Sequence, residues 1–314
     1  MQRRFMVTIV GMLLAATAFV FAGGSQENQQ VEEPTGWRAE YPELVFGVGH
    51  SESDADKIKR YGPLMDYLSA ELGIKVVLRP TSDYASSIEG MKAETVHGAT
   101  VGAAGYALAY EVLEGDVEPL VVQQGRGGNL GYHSIIFVRA DKPYQSIDDL
   151  AGARMAFGDP NSTSSYLAPS YYMRQDGKDP DQFFSQVTFA GSDETTVMGI
   201  LRDNWDAGAA WFVNEGANVL AQMSGKEMIE DDDLRIIWRS PLLPSSPWIV
   251  RESLPQELKD ALVQAFLELP EKDPEAMAAL DETSPGFSIA DHDMYTGIIG
   301  MRQQQLEERR RSGS

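Results

Sequence analysis

The chain has 314 residues, 43% of them hydrophobic, no cysteine and a formal net charge of −21 at pH 7. That length holds two lobes of ordinary domain size. The charge argues against nucleic acid and anionic membrane surfaces as partners. The lack of cysteine excludes disulfides, thiolate metal sites and a lipid anchor on cysteine. An anionic ligand would be repelled by the overall field, so its binding must rest on local, directed hydrogen-bond donors.

The N-terminus has the three-part layout of a secretory signal peptide. Arg3 and Arg4 give a positive start, an apolar run follows over 5–21, and Val20-Phe21-Ala22 puts small, uncharged residues at the −3 and −1 positions of a cleavage site. The alternative is an uncleaved anchor, but the run is only about 17 residues, at the bottom of the spanning range. The expectation is therefore a signal peptide over 1–22 and export to the periplasm, with a polar, flexible leader over 23–39.

Strands and helices then alternate, which predicts an α/β fold of mixed sheets flanked by helices. A strand over 44–48 leads into a helix over 58–72, whose apolar residues Ile58, Tyr61, Leu64, Met65, Leu68 and Leu72 recur at helical spacing before Gly73. Strands over 74–78 and 96–101 alternate with helices over 84–92 and 103–113, and strands over 119–123 and 134–138 follow. A second unit reads as strands over 154–157, 187–189, 207–212 and 234–238, with helices over 162–173 and 194–203. A strand over 248–251 and helices over 257–267, 274–281 and 292–309 complete the chain. The expected arrangement is a first lobe of 40–138 plus 245–314, with a second lobe of 139–244 inserted into it. Crossings near Val138 and Pro244 form the hinge, and ligands of such folds sit outside the strand C-termini.

The strongest local signal is Gly158-Asp159-Pro160-Asn161-Ser162-Thr163-Ser164, which follows a strand and opens a helix. A helix start offers unpaired N–H groups and partial positive charge, which suit an anion. The hydroxyls of Ser162, Thr163 and Ser164 could each add one donor to a tetrahedral oxyanion. One serine as an N-cap is the plainer reading, but three successive hydroxyls exceed what a cap needs. A second junction, Gly191-Ser192-Asp193-Glu194, could aim at the same crevice or be an ordinary cap. The four histidines are scattered, with no pair at zinc-site spacing. Neither a Gly-x-Ser-x-Gly elbow nor a phosphate-cradling loop is present. No cofactor, no metal and no catalytic residue are expected.

These segments resemble the periplasmic phosphonate- and phosphite-binding proteins of ABC importers. The carriers are Asp83-Tyr84 with Ile88-Glu89-Gly90-Met91, Gly131-Tyr132-His133-Ser134, the run from Gly158 to Ser164, and Ile237-Trp238-Arg239-Ser240-Pro241-Leu242-Leu243-Pro244. The resemblance spans about 43–300. It implies a type II periplasmic-binding-protein fold that closes like a hinged trap and delivers its ligand to an inner-membrane permease. By position, Ser162, Thr163 and Ser164 would hold the phosphonate oxygens. Tyr84 would donate a hydroxyl from the first lobe, and Tyr132 would line the site near the hinge. Where the family commonly has a histidine, this chain has Ser192 or Asp193, depending on a one-residue gap. A carboxylate there would repel a dianion, accept a proton from a monoprotonated oxyanion, or pair with a ligand amine. A family acid near the ligand's amine reads Ser246 here, and Glu215 is the other candidate acid.

The sequence thus predicts a monomeric substrate-binding protein, not an enzyme, that captures a phosphonate, phosphite or related small oxyanion. A sensor for a membrane receptor, or a binder of a non-phosphorus ligand on the same fold, is the alternative. An exported hydrolase would need metal ligands or an activated nucleophile, and neither is visible in the sequence.

Overall fold

The computed structural model describes residues 35–49 and 53–312. The expected signal peptide, His50 and the leader up to residue 34 lie outside them. The rest of the expected leader is part of the fold. Trp37, in the helical turn α1 (Trp37–Glu40), is buried in the first hydrophobic core, and Arg38 Nε donates to the Leu72 carbonyl at 2.8 Å.

The first lobe starts with β1 (Glu43–Val48), α2 (Asp54–Leu72), β2 (Lys75–Pro80), α3 (Tyr84–Lys92), β3 (Gly98–Thr100), α4 (Ala103–Val112) and β4 (Glu118–Gln123). The second lobe holds β5 (Gly131–Arg139), β6 (Arg154–Phe157), α5 (Ala168–Gln175), α6 (Pro180–Phe183), β7 (Gln186–Phe189) and α7 (Asp193–Leu201), then β8 (Ala207–Asn214), β9 (Ala217–Asn218), α8 (Val219–Gly225), β10 (Leu234–Arg239) and β11 (Leu243–Pro244). The chain returns through β12 (Pro247–Val250), α9 (Gln256–Lys272), α10 (Pro274–Leu280), β13 (Phe287–Ile289) and α11 (Thr296–Ser312).

The first sheet has the order β13-β4-β12-β3-β1-β2 and the second runs β10-β5-β8-β6-β7, with β11 on β5 and β9 on β8. Strand β12 lies antiparallel between β3 and β4, so the first sheet is completed only after the chain has built the second. The first crossing falls between β4 and β5, earlier than the expected Val138. The strand expected over 134–138 pairs with β8 and β10 in the second sheet. The two crossings meet each other: Leu243 pairs with Tyr132 and Pro244 with Gly131.

Side chains alternate across each sheet, as the pleat demands. From β1, Leu44, Phe46 and Val48 join one core with Leu64, Leu68, Trp248 and Phe266, while Val45 joins another with Ile88, Ala99 and Ile249. Full burial of each such side chain contributes roughly 1.5–3 kcal/mol. Leu167 and Ala168 of the second lobe belong to the same apolar cluster as Ala103, Ala104 and Tyr106 of α4. The two lobes therefore touch through these residues.

Candidate ligand cleft

The turn after β6 positions the hydroxyl run. Asp159 accepts the Asn161 N–H at 2.6 Å, and Ser162 caps the next segment by accepting the Ser165 N–H at 3.2 Å. Thr163–Leu167 is a single π-helical turn that leads into α5. Such wide turns occur often at functional sites. Thr163 and Ser164 are buried there. The Ser164 carbonyl accepts the Ser134 hydroxyl at 2.5 Å, which fixes the turn on β5.

Thr163 reaches the opposite lobe. Its Oγ1 accepts the N–H of Ala104 at 2.8 Å. A Cβ on Gly102 would stand 3.1 Å from Thr163 Oγ1 and 3.8 Å from the Tyr84 hydroxyl. The α4 start, Tyr84 and Thr163 therefore converge on one point, and a Cβ at position 102 would press on the Thr163 hydroxyl. The Tyr132 hydroxyl adjoins the side chains of Thr163 and Ser164, which hold its pKa down against burial.

Tyr84 and Tyr132 are half-buried. Burial is the first cause of raised pKa values in both, and the Asp193 carboxylate adds to each. Both phenols remain donors at neutral pH. Asp193, the first residue of α7, is buried at 8% exposure. Burial pushes its carboxyl up to about 7, with Asp159 and Glu194 adding and a hydrogen bond to Ser165 opposing. A Cβ on Gly158 would meet Ser165 Oγ at 2.6 Å and Asp193 Oδ1 at 2.8 Å, so a glycine is needed for these two side chains to meet. Asp159 is also raised, first by burial and then by Asp83, while N–H groups of Asn161 and Tyr84 hold it down. Asp159 thus links the second lobe to the start of α3.

The residues expected at the site divide into two groups. Tyr84, Tyr132, Thr163, Ser164 and Asp193 share one neighbourhood, with Ser162 behind them as a cap. Ser192 has its hydroxyl engaged within α7, accepting the Thr195 N–H at 3.0 Å and donating to Thr195 Oγ1 at 2.7 Å. Its plainer reading as a cap describes it. Glu215 is exposed and paired with Arg239 at 3.2 Å. Trp248 and Phe212 are core residues. His97 Nδ1 accepts the Val45 N–H, while the Nδ1 atoms of His133 and His292 bond the Ser240 carbonyl and the Tyr106 hydroxyl. From sequence, Asp159 reads only as part of the turn after β6, and neither Ser165 nor Gly102 stands out. The one available signal was the pair of glycines, at 102 and 158, each just after a strand.

Two mixed sheets, helices on their faces and a paired double crossing define a type II periplasmic binding protein. A sequence model of the family described as "ABC transporter, phosphonate, periplasmic substrate-binding protein" matches residues 46–295. The chain is 30% identical over 267 residues to the phosphonates-binding periplasmic protein of Escherichia coli, covering 84% of this chain and 76% of that one. It is also 30% identical over 251 residues to the phosphate-import protein PhnD of Mycolicibacterium smegmatis, covering 75% of each. A binding protein component of an ABC phosphonate transporter from Pseudomonas aeruginosa superposes with a TM-score of 0.72 at 26% identity, over 83% of this chain and 85% of that one. The chain belongs to the phosphonate-binding periplasmic protein family of ABC transporters, and its relatives bear names for more than one oxyanion.

Proposed function

We propose that this protein is exported, freed of residues 1–22 without gaining a lipid anchor, and captures a small phosphorus oxyanion between its lobes for an ABC permease. It works as a monomer and performs no chemistry on its ligand. The observation that carries this reading is the convergence of neutral donors from both lobes: Thr163 and Ser164 from the second, Tyr84 and the α4 start from the first, with Tyr132 at the crossing. Neutral donors suit a chain whose net charge would repel an anion.

Binding shifts the open–closed equilibrium. Donors on the two lobes surround the ligand together only when the lobes close, so the ligand stabilises the closed form. The permease then reads that closed shape. The test is isothermal titration of protein stripped of carried ligand by unfolding and refolding. The panel is phosphite, methylphosphonate, 2-aminoethylphosphonate, phosphate and sulfate. The expected result is a Kd of about 1 μM or tighter for one of the phosphorus oxyanions. Silence across the panel would move this protein to another ligand class.

A further inference from the structure

Acidic side chains crowd this neighbourhood. Among the described residues, Asp83, Asp159, Asp193 and Glu194 act on Tyr84, Tyr132, Asp159 and Asp193, and Lys57 acts on Asp83. Lys226 of α8 pairs with Glu194 at 2.9 Å. A doubly charged oxyanion seated on Thr163 and Ser164 would face the Asp193 carboxylate, which has no ion-pair partner among the described residues, and would be repelled by it.

Asp193 lies beside the hydroxyl turn. Its hydrogen-bond partner Ser165 directly follows Ser164 in the hydroxyl turn, and both side chains close over Gly158. Around it stand Asp159 from the turn after β6, Tyr84 from α3, Tyr132 from β5 and Glu194 from α7 itself. Asp159 is already held by the N–H groups of Asn161 and Tyr84. Among the described residues, Ser165 is the side chain that donates to the Asp193 carboxyl, and an ionised carboxylate has room for about four such bonds.

We propose that Asp193 reads a proton on the ligand: the bound state holds one proton between the Asp193 carboxylate and a ligand oxygen, so the trap recognises oxyanions in a singly protonated form. This rests on the cleft being an oxyanion site, as proposed above. No covalent bond forms. The ligand P–OH donates to the carboxylate, and where ligand and carboxylate are both ionised in solution, the proton comes from water. Burial already brings the Asp193 carboxyl to about 7, where such a proton is exchangeable under physiological conditions.

The test is calorimetry of methylphosphonate binding at about pH 9 in two buffers of different ionisation enthalpy, which counts the protons taken up. The native protein is expected to take up about one proton per ligand, and its Kd to rise by about tenfold per pH unit in that range. Asp193→Asn keeps an acceptor for Ser165 and is expected to take up none, with a Kd that no longer follows pH. Asp159→Asn is expected to retain the uptake, whatever its affinity. Binding of methylphosphonate to the native protein without proton uptake overturns the proposal, and so does loss of uptake in Asp159→Asn. If Asp193→Asn fails to fold, these last two measurements still decide it. Tight binding of 2-aminoethylphosphonate alone, without uptake, would mean that Asp193 reads an ammonium instead. If phosphite, methylphosphonate and phosphate all fail to bind at every pH, the oxyanion reading itself falls, and this proposal with it.

Discussion

Thr163 caps a helix that belongs to the other lobe: its Oγ1 accepts the N–H of Ala104 at 2.8 Å. Helix α4 has no cap of its own, because its N-cap residue is Gly102. The second lobe therefore completes a helix of the first. A missing N-cap costs typically about 1 kcal/mol, and a buried N–H left without a partner costs roughly 1–3 kcal/mol.

Thr163→Val tests both roles at once. Valine keeps the volume and removes the hydroxyl, so the closed form loses the cap and the ligand loses a donor. Affinity is expected to fall by roughly 5–150-fold, from about 1–3 kcal/mol. Titration calorimetry gives the affinity, and small-angle scattering of the ligand-free protein gives the closed fraction, which should also drop. Unchanged affinity in a folded variant would place the ligand elsewhere.

Gly102→Ala addresses the same contact from the first lobe. Its new methyl would lie 3.1 Å from Thr163 Oγ1, closer than ordinary van der Waals contact. Backbone conformation is not the obstacle, since Gly102 has φ −64°. The expected result is weaker ligand binding by about tenfold or more with little change in the thermal midpoint of the ligand-free protein. An equal loss of both would mean that the residue serves folding and not closure.

Much of this was legible in the sequence because it is local. Helix α3 spans the expected 84–92 and β6 the expected 154–157, since a capping Asp83 and a short apolar run mark them without outside help. The hydroxyl turn was visible for the same reason. The relationships that make the cleft were not, because they join distant segments. Thr163 meets Ala104, Asp159 meets Tyr84 and Ser165 meets Asp193 only after two sheets have formed. The position of the first crossing was also hidden. Gly131-Tyr132-His133 carries no apolar alternation, and its strand character comes from pairing with β8 and β11. Strand β13 is three residues long and is defined by pairing with β4.

Ser192 and Tyr84 should separate cap from ligand contact. Ser192→Ala removes an N-cap whose hydroxyl is engaged with Thr195, so stability should fall by about 1 kcal/mol while affinity stays within roughly twofold. Tyr84→Phe removes a cleft hydroxyl at a half-buried ring, so affinity should fall by about tenfold with stability nearly unchanged. Chemical denaturation and calorimetry on both proteins check the pair. The reverse pattern would put Ser192 at the ligand and make Tyr84 a packing residue.

The buried Asp193 also leaves a mark on stability without any ligand. Its carboxyl is raised to about 7, against an unfolded value of about 3.9. Between those values the native state keeps a proton that the unfolded chain has released, so this group's contribution falls as pH rises from about 4 to 7 and is level above. Asp159, raised by burial, acts in the same direction. Asp83 acts the other way: burial raises its pKa, but hydrogen bonds from Ser86 and Ser82 outweigh that and leave it lowered. The informative quantity is therefore the difference between native protein and Asp193→Asn, whose amide cannot ionise. That difference should be small near pH 4, grow in favour of the variant, and reach up to about 4 kcal/mol by about pH 8. Urea denaturation at several pH values measures it. A difference that stays constant across the range would mean that Asp193 ionises as an ordinary, solvated carboxylate.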